Sequence, residues 1–322
     1  MKCKLGILAT LLCLPLHAGE PQLQRVRIAT ITTPQLDQVE RDYARWLGYT
    51  VRERGRISKA LASSWDATAV TNRRYILMSP DTAPDVYIRA IEIPASKNLI
   101  TRTYIKPLTT HGWNAIEIII DNLDALLAEL KDSPFKWIAG PAPLSAYPTI
   151  HAFQVLGPSG EIIYFTAETG DRSKSILPLP NGKIGRIFIM VNGGPNIEQM
   201  LDLYADKFGL TRPIPRQRVL TLLNNAQHTE PNQLLPIATL RLKNFGNFLE
   251  LDGYSSNATP RPREMRNLPL GIASASFSVP NLETLDLKWI RPPAVQPGLA
   301  YLGRRTASLR GPAGELLELI EE

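Results

Sequence analysis

Apolar residues recur along this chain in two patterns, one typical of strands and one typical of helices. Residues 25–32 alternate around Val26 and Ile28, which predicts a strand. A helix should begin near Thr33 and Pro34, a capping hydroxyl followed by a proline suited to the first turn. Apolar residues at helical spacing then lead to a terminating glycine: Leu36, Val39, Tyr43, Trp46 and Gly48.

Three further strands are expected near residues 50–56, 74–78 and 86–93, completing a strand–helix–three-strand unit. The same plan can be traced three more times. Its first strands are predicted at residues 113–120, 186–191 and 272–279.

Two short motifs also repeat in the same order. The turn and strand Gly157–Phe165 return as Gly311–Leu319, and the helix end Tyr43–Gly48 returns as Tyr204–Gly209. Because matching elements keep their order, the chain is predicted to contain two copies of one domain.

This ordered repetition resembles the vicinal oxygen chelate superfamily, which includes glyoxalases, bleomycin-resistance proteins and extradiol dioxygenases. The resemblance implies an α+β fold of two tandem domains, each made of paired βαβββ units that form a cupped mixed sheet. The predicted domains are residues 24–168 and 184–322, joined by a linker at 169–183.

The N-terminus has the pattern of a secretory signal sequence at residues 1–18. Lys2 and Lys4 precede an apolar stretch at 5–16, and cleavage is expected after Ala18. The competing interpretation is a membrane anchor, but a bilayer span needs about 20 apolar residues. We therefore expect a periplasmic or secreted protein without a membrane span. Both cysteines lie within the signal, so the processed chain would carry no disulfide.

Composition narrows the function classes. The chain has 322 residues, 44% hydrophobic and 20% charged, which suits folded domains rather than disorder. The net charge of +6 is mild and no basic run stands out, so nucleic acid is not an expected partner. The sequence does not indicate an oligomeric state.

In the resembled superfamily, metal ligands come from the first, fifth and last strands of a domain. The resemblance places the last-strand ligand at Tyr164 and Glu318 and the fifth-strand ligand at Ala115 and Ser274. The first-strand position falls near Arg25 or Arg27, and at Arg186. Only Glu318 suits a metal, because alanine cannot ligate and arginine stays charged.

No cofactor is therefore predicted. A divalent metal remains the alternative, at an unusual site joining His111 or His151 to Glu117 or Glu168.

The arginines allow two interpretations. If Arg25, Arg27 and Arg186 point into the cups, their guanidinium groups could bind a carboxylate. Otherwise they are exposed or paired internally, Arg186 with Glu318 and Arg25 or Arg27 with Glu117. Aromatic residues could wall the same cups or be plain core. The candidate ligand-binding residues are Arg25, Arg27, Trp113, Arg186, Phe188 and Ser274.

The leading hypothesis is an exported protein that binds a small anionic or aromatic organic molecule in its cupped sheets without the usual metal triad. The first alternative is a lyase, isomerase or dioxygenase-type enzyme, with Tyr164, Glu117 and His151 as candidate catalytic residues. The second is a structural or partner-binding role in which side chains fill the cups.

Overall fold

The computed structural model describes residues 20–94, 108–144 and 146–322. The predicted signal sequence at 1–18 lies outside these ranges. Within them, no helix combines the length and hydropathy needed to cross a bilayer.

The strands and helices fall into four consecutive units, each opened by a long buried strand. The first unit contains β1 (Val26–Thr33), α1 (Leu36–Leu47), β2 (Tyr49–Arg56), α2 (Lys59–Ser64), β3 (Arg74–Pro80) and β4 (Tyr87–Glu92). The second contains β5 (Gly112–Ile120), α3 (Leu123–Leu130), β6 (Lys136–Leu144), β7 (Tyr147–Leu156) and β8 (Ile162–Glu168).

The third and fourth units repeat this order with local changes. The third contains β9 (Ile184–Gly194), α4 (Ile197–Leu201) continued by a π-helical turn (Asp202–Lys207), β10 (Arg216–Val219), α5 (Thr221–Gln227), β11 (Leu234–Arg241) and β12 (Phe248–Gly253). The fourth contains β13 (Gly271–Val279), β14 (Ala294–Val295), β15 (Arg305–Arg310) and β16 (Leu316–Glu321), with a turn at 283–284 where the plan has a helix.

Helix α1 shows how the sequence sets these elements. It buries Leu36, Val39 and Tyr43 and ends at Gly48, whose φ of 66° is the left-handed conformation that glycine adopts freely. The Thr33 hydroxyl accepts a hydrogen bond from the Gln35 backbone N–H at 3.1 Å, just before the first turn.

The four units build two eight-stranded mixed sheets. The first sheet has the order β14-β15-β16-β13-β1-β4-β3-β2, and the second β10-β11-β12-β9-β5-β8-β7-β6. The first sheet thus joins the first and fourth units, whereas the second joins the second and third. Each predicted domain segment therefore contributes one unit to each sheet. Strand β1 pairs antiparallel with β13, and β5 with β9. The boundaries at 24–168 and 184–322 stay a sequence-based prediction.

The two sheets pack together through a central core. Trp113 lies in it, with its ring 6.2 Å from Tyr204 and 6.0 Å from Phe277. Each sheet turns its other side away from this core, and we call these sides the first cup and the second cup. Apolar residues of the first cup include Ile28, Leu61, Trp65, Leu77, Tyr87 and Leu316. Those of the second cup include Ala115, Ile162, Phe188, Val191, Leu223 and Phe248.

Candidate functional site

The third residue of the last strand in each unit decides the chemistry of the cups. In chain order these residues are Arg89, Tyr164, Glu250 and Glu318. The first cup receives Arg89 and Glu318, and the second receives Tyr164 and Glu250. The two cups therefore differ in charge although they share one architecture.

In the first cup, Glu318 is completely buried and fully engaged. Its carboxylate accepts hydrogen bonds from Trp65 Nε1 at 2.8 Å, from Ser276 Oγ at 2.6 Å and from the Tyr301 hydroxyl at 3.1 Å. These three donors leave this carboxylate little capacity to bind another group.

Arg89 supplies the matching positive charge. Its Nη2 lies 3.4 Å from Glu318 Oε2, and its Nη1 donates to the Tyr301 hydroxyl at 2.5 Å. The guanidinium also bonds Thr30 Oγ1 at 2.9 Å and lies 4.6 Å from the Trp65 ring centroid. The first cup is thus closed by a buried ion pair and its aromatic neighbours.

Helix α2 places Trp65 in this cluster. Ser58 caps the helix, accepting a hydrogen bond from the Leu61 N–H at 3.0 Å, and Leu61 and Ala62 are buried beneath it. Trp65 follows directly at the helix end, fully buried. Sequence reasoning did not identify the roles of Trp65 and Arg89.

The second cup contains three carboxyl groups on two strands. Glu117 lies on β5, and Glu250 and Asp252 lie two residues apart on β12, on the same face as Phe248. Glu117 stands directly beside Tyr164, and Glu250 beside Val191. Glu117 and Asp252 are buried, whereas Glu250 and Tyr164 are partly exposed.

Burial and mutual repulsion favour the protonated form of these carboxyl groups. Burial is the main effect that raises the pKa of Glu117 to about 8, and the charge of Glu250 is the second. A hydrogen bond donated by Thr166 Oγ1 at 3.1 Å lowers this pKa but does not offset the rise. Burial raises the pKa of Glu250 to about 7. Burial and then the charges of Glu250 and Glu117 hold the pKa of Asp252 well above its usual range.

Several buried polar atoms of the second cup lack partners. Asp252 Oδ1, the Tyr254 hydroxyl and Gln154 Oε1 make no hydrogen bond within the described residues. Tyr254 packs over Gly193, where an added Cβ would lie 2.3 Å from its ring. Buried polar groups are normally satisfied, so these atoms mark a polar site that can still accept partners.

Among the predicted site residues, the second cup brings together Glu117, Tyr164 and Phe188. Phe188 packs edge-to-face on Phe248 at 6.4 Å. His151 does not join them; its Nε2 lies 3.1 Å from the Pro148 carbonyl oxygen.

Two further candidates lie outside the second cup. Trp113 belongs to the central core and donates its Nε1–H to the Leu316 carbonyl oxygen at 2.8 Å. Ser274 is buried on β13, two residues before Ser276 on the same face, so it belongs to the first sheet.

The expected internal partners of the arginines were wrong. Arg25 and Arg27 pair with Asp85 and Glu322, Arg27 at 3.0 Å from Glu322 Oε1 and Arg25 at 3.3 Å from Oε2. These partners lie far apart in the sequence, so local pattern gave no signal for them.

Arg186 is held by the turn before β12. It donates to Asn247 Oδ1 at 2.8 Å and to the Gly246 carbonyl oxygen at 3.0 Å. Burial lowers the pKa of Arg186 to about 10. Its donors serve the loop rather than a ligand.

The strand register pairs Tyr164 with Glu117 and Glu318 with Ser276. Ala115 and Ser274, the fifth-strand positions implied by the resemblance, each lie two residues earlier on the same strands. Sequence reasoning missed Glu250 and Asp252 altogether. One signal was available: Glu250 follows Gly246 by four residues, as Tyr164 follows Gly160 and Glu318 follows Gly314.

Neither cup fits the metal that this architecture implies. In the first cup, the carboxylate of Glu318 is engaged by Arg89 and three neutral donors. In the second cup, no three His, Cys, Asp or Glu residues are grouped to hold a metal within the part of the chain that the structure describes. No chemistry is therefore assigned to a metal.

Comparison with solved structures identifies the architecture. Glyoxalase I from Zea mays superimposes with a TM-score of 0.59 at 15% identity, over 92% of this chain and 92% of that one. A point variant of the same enzyme gives a TM-score of 0.61 at 15% identity, over 92% of this chain and 93% of that one. A putative dioxygenase from Bacillus subtilis gives 0.57 at 12% identity, over 93% and 85%.

No family model matches the sequence, and no curated protein matches it. At these identities the superpositions establish the fold alone. They agree with the two eight-stranded sheets and the fourfold repetition of the unit. The chain has the tandem fold of the vicinal oxygen chelate superfamily.

Proposed function

We propose that the second cup binds a small organic molecule and that the first cup is a structural core. One contrast carries this proposal. Glu318 is completely buried and paired with Arg89, whereas Glu250, at the equivalent strand position, is partly exposed. The Glu250 side chain makes no hydrogen bond or ion pair with the described part of the chain.

The second cup combines features expected of a ligand site. Phe188 and Phe248 provide an apolar wall, and Tyr164, Gln154 and Asp252 provide polar groups beside it. Small-molecule sites commonly join such apolar walls to a few polar groups that fix ligand orientation. The carboxyl groups of the second cup disfavour the anionic ligand considered from the arginines. Arg25 and Arg27 are instead paired with Asp85 and Glu322, and Arg186 is held by the turn before β12.

A thermal-shift screen of uncharged, cationic and anionic aromatic compounds tests the proposal. The blocking variant is Thr239→Trp, because Thr239 is exposed on β11 directly beside Glu250. Thr68→Trp, at an exposed turn after α2, is the matched control. Compounds that stabilise the wild type and the Thr68 variant but not the Thr239 variant support the proposal. Equal stabilisation of all three proteins would contradict it.

A second candidate function is acid–base catalysis in the same cup. The pKa of about 8 at Glu117, whose strand neighbour is Tyr164, suits a group that exchanges protons near neutral pH. The solved structures of similar fold include a glyoxalase I and a putative dioxygenase. Solvent-deuterium exchange into small carbonyl compounds tests this candidate. Exchange that depends on protein and disappears in Glu117→Gln would favour it, and no exchange would count against it.

We also propose that the protein is exported after cleavage of its N-terminal segment. The pattern of charged, apolar and small residues at 1–18 supports it. Intact mass of the protein expressed in a bacterium should correspond to a chain beginning at Gly19. A mass that retains Met1 or the whole segment would contradict export by cleavage.

A further inference from the structure

We propose that the ligand of the second cup is an organic cation, an amine or guanidinium compound whose charged nitrogens lie among Glu117, Glu250 and Asp252. This inference rests on the proposed function of the cup. The two cups are built from the same strand–helix–three-strand units. Comparison of their charged residues shows that, among the described residues, the second cup lacks a positive charge paired with its acids.

The first cup carries its own cation. Arg89 occupies the third position of β4 and neutralises Glu318 at the third position of β16. In the second cup the domain repeat puts Glu250 at the position of Arg89 and Tyr164 at the position of Glu318, and Glu117 adds another acid beside Tyr164. A cation bound in the second cup would neutralise its carboxylates, as Arg89 neutralises Glu318 in the first cup.

No cation forms an ion pair with these acids within the described residues. Arg216 and Arg218 lie exposed on β10, at the edge of the same sheet, beside Ile237 and Leu235. From β5, β12 and β8 come Glu117, Glu250, Asp252 and Tyr164. Beyond β12, Tyr254 interacts electrostatically with Asp252, Glu250 and the guanidinium of Arg261. The ring of His111 lies 6.5 Å from that of Tyr254, and burial lowers the pKa of His111, which favours the neutral imidazole.

Arg261 directs its donors away from the acids. It bonds Thr110 Oγ1 at 3.2 Å, Asn114 Oδ1 at 2.9 Å and the Ile272 carbonyl oxygen at 2.8 Å. At the end of β11, the guanidinium carbon of Arg241 lies 6.0 Å from the centroid of the Phe248 ring. Neither arginine forms an ion pair with the three carboxyl groups within the described residues.

The spread of the acceptors favours an organic cation over a metal ion. No three His, Cys, Asp or Glu residues of the described chain are grouped closely enough to hold a metal ion. An ammonium or guanidinium group has several N–H donors and holds its acceptors at about 2.7–2.9 Å, so it accepts a wider spacing of oxygens than a metal ion does. Asp252 Oδ1 and Gln154 Oε1 are buried acceptors without partners among the described residues, and each can receive one of these donors.

The aromatic rings of the second cup also suit an organic cation. Phe188 and Phe248 line the apolar side of the cup, and Tyr164 and Tyr254 stand near the acids. Aromatic faces attract cations, and they also pack against the hydrocarbon part of an aromatic amine. An apolar body with a single charged nitrogen therefore fits both sides of this site.

Binding of a cation should displace protons from the cup. A positive charge stabilises ionised carboxylates, so a ligand that stays protonated should bind more tightly as pH rises from 6 to 8.5. The pKa values of Glu117 and Glu250, about 8 and about 7, place the proton release in this interval.

Isothermal titration with benzylamine, benzyl alcohol and benzoate, which share one ring, tests the inference. We expect benzylamine to bind at least about tenfold more tightly than either other probe. Binding should tighten from pH 6 to 8.5 and weaken about tenfold or more in Glu250→Gln. The exposed Glu230→Gln variant should bind like wild type.

Three results would overturn the organic-cation assignment. One is equal or tighter binding of benzyl alcohol or benzoate; loss of that binding in Thr239→Trp would leave the proposed function standing. The second is Glu250-dependent binding of calcium or magnesium chloride without benzylamine binding. The third is no binding of benzylamine while other compounds stabilise the protein through the second cup.

Discussion

The Tyr43 hydroxyl donates a hydrogen bond to Glu161 Oε1 at 2.7 Å, linking α1 of the first unit to the turn before β8 of the second sheet. The repeat makes the same bond again, from the Tyr204 hydroxyl to Glu315 Oε1 at 2.7 Å. All four side chains are buried. The two motifs that repeat in the sequence are therefore partners in space, and each pair joins one sheet to the other.

Removing either tyrosine hydroxyl should destabilise the protein. Tyr43→Phe takes a donor from the buried carboxyl group of Glu161, and Tyr204→Phe does the same to Glu315. We expect each change to lower the free energy of unfolding by about 1–3 kcal/mol in denaturant titrations.

Tyr49→Phe is the matched control for these variants. Tyr49 is buried against Tyr43 at 5.5 Å, but its hydroxyl has no hydrogen-bond partner in the described chain. Its removal should leave the free energy of unfolding unchanged or raise it. Similar losses for Tyr49→Phe and Tyr43→Phe would show that the hydrogen bond to Glu161 is not the stabilising feature.

The second cup should make stability depend on pH. Burial raises the pKa of Glu250 from its ordinary value of 4.5 to about 7, so the folded state binds more protons than the unfolded state between these values. Stability is then full below pH 4.5 and falls as pH rises through 7. Buried Glu161, with a pKa raised to about 7, should add to the same fall.

Glu250→Gln should remove part of this pH dependence. The variant and the wild type should be about equally stable at pH 4, below the ordinary pKa of 4.5, where Glu250 is largely uncharged in both the folded and the unfolded state. At pH 8.5 the variant should be more stable by about 1–2 kcal/mol. Guanidinium titrations across pH 4–8.5 measure the difference. A variant that loses stability at high pH would mean that ionised Glu250 is stabilised by a partner.

The ion pair of the first cup should be essential for folding stability. Arg89→Met would leave Glu318 buried without a compensating charge, which typically costs about 3–5 kcal/mol. Arg74→Met is the control, because Arg74 pairs with Asp37 and Glu92 at the surface and should cost less than about 1 kcal/mol. The double variant Arg89→Met with Glu318→Gln should recover part of the loss. Equal stability of Arg89→Met and wild type would refute the structural role of the first cup.

The sequence predicted the repeated unit because its signals are local. Alternating apolar residues mark β1, and Gly48 marks the end of α1. The pairing of units was not predictable in the same way. The first strands β1, β5, β9 and β13 are all buried along their lengths, so their patterns do not say which two strands pair.

The candidate site was predicted in part for a related reason. Glu117, Tyr164 and Phe188 were found because they lie on recognisable strands. Glu250 was missed because the turn before it, at Gly246, lacks the Gly-Pro pair of the other two closing turns. Arg89 was missed because its role depends on Glu318, 229 positions away.

A crystallographic soak of small aromatic amines most directly tests the central claim, that the second cup is a binding site and the first is closed. We expect ligand density in the second cup within hydrogen-bonding distance of Glu250 or Asp252, with Arg89 and Glu318 still paired. Ligand bound between Arg89 and Glu318, or a second cup filled by its own side chains, would contradict it.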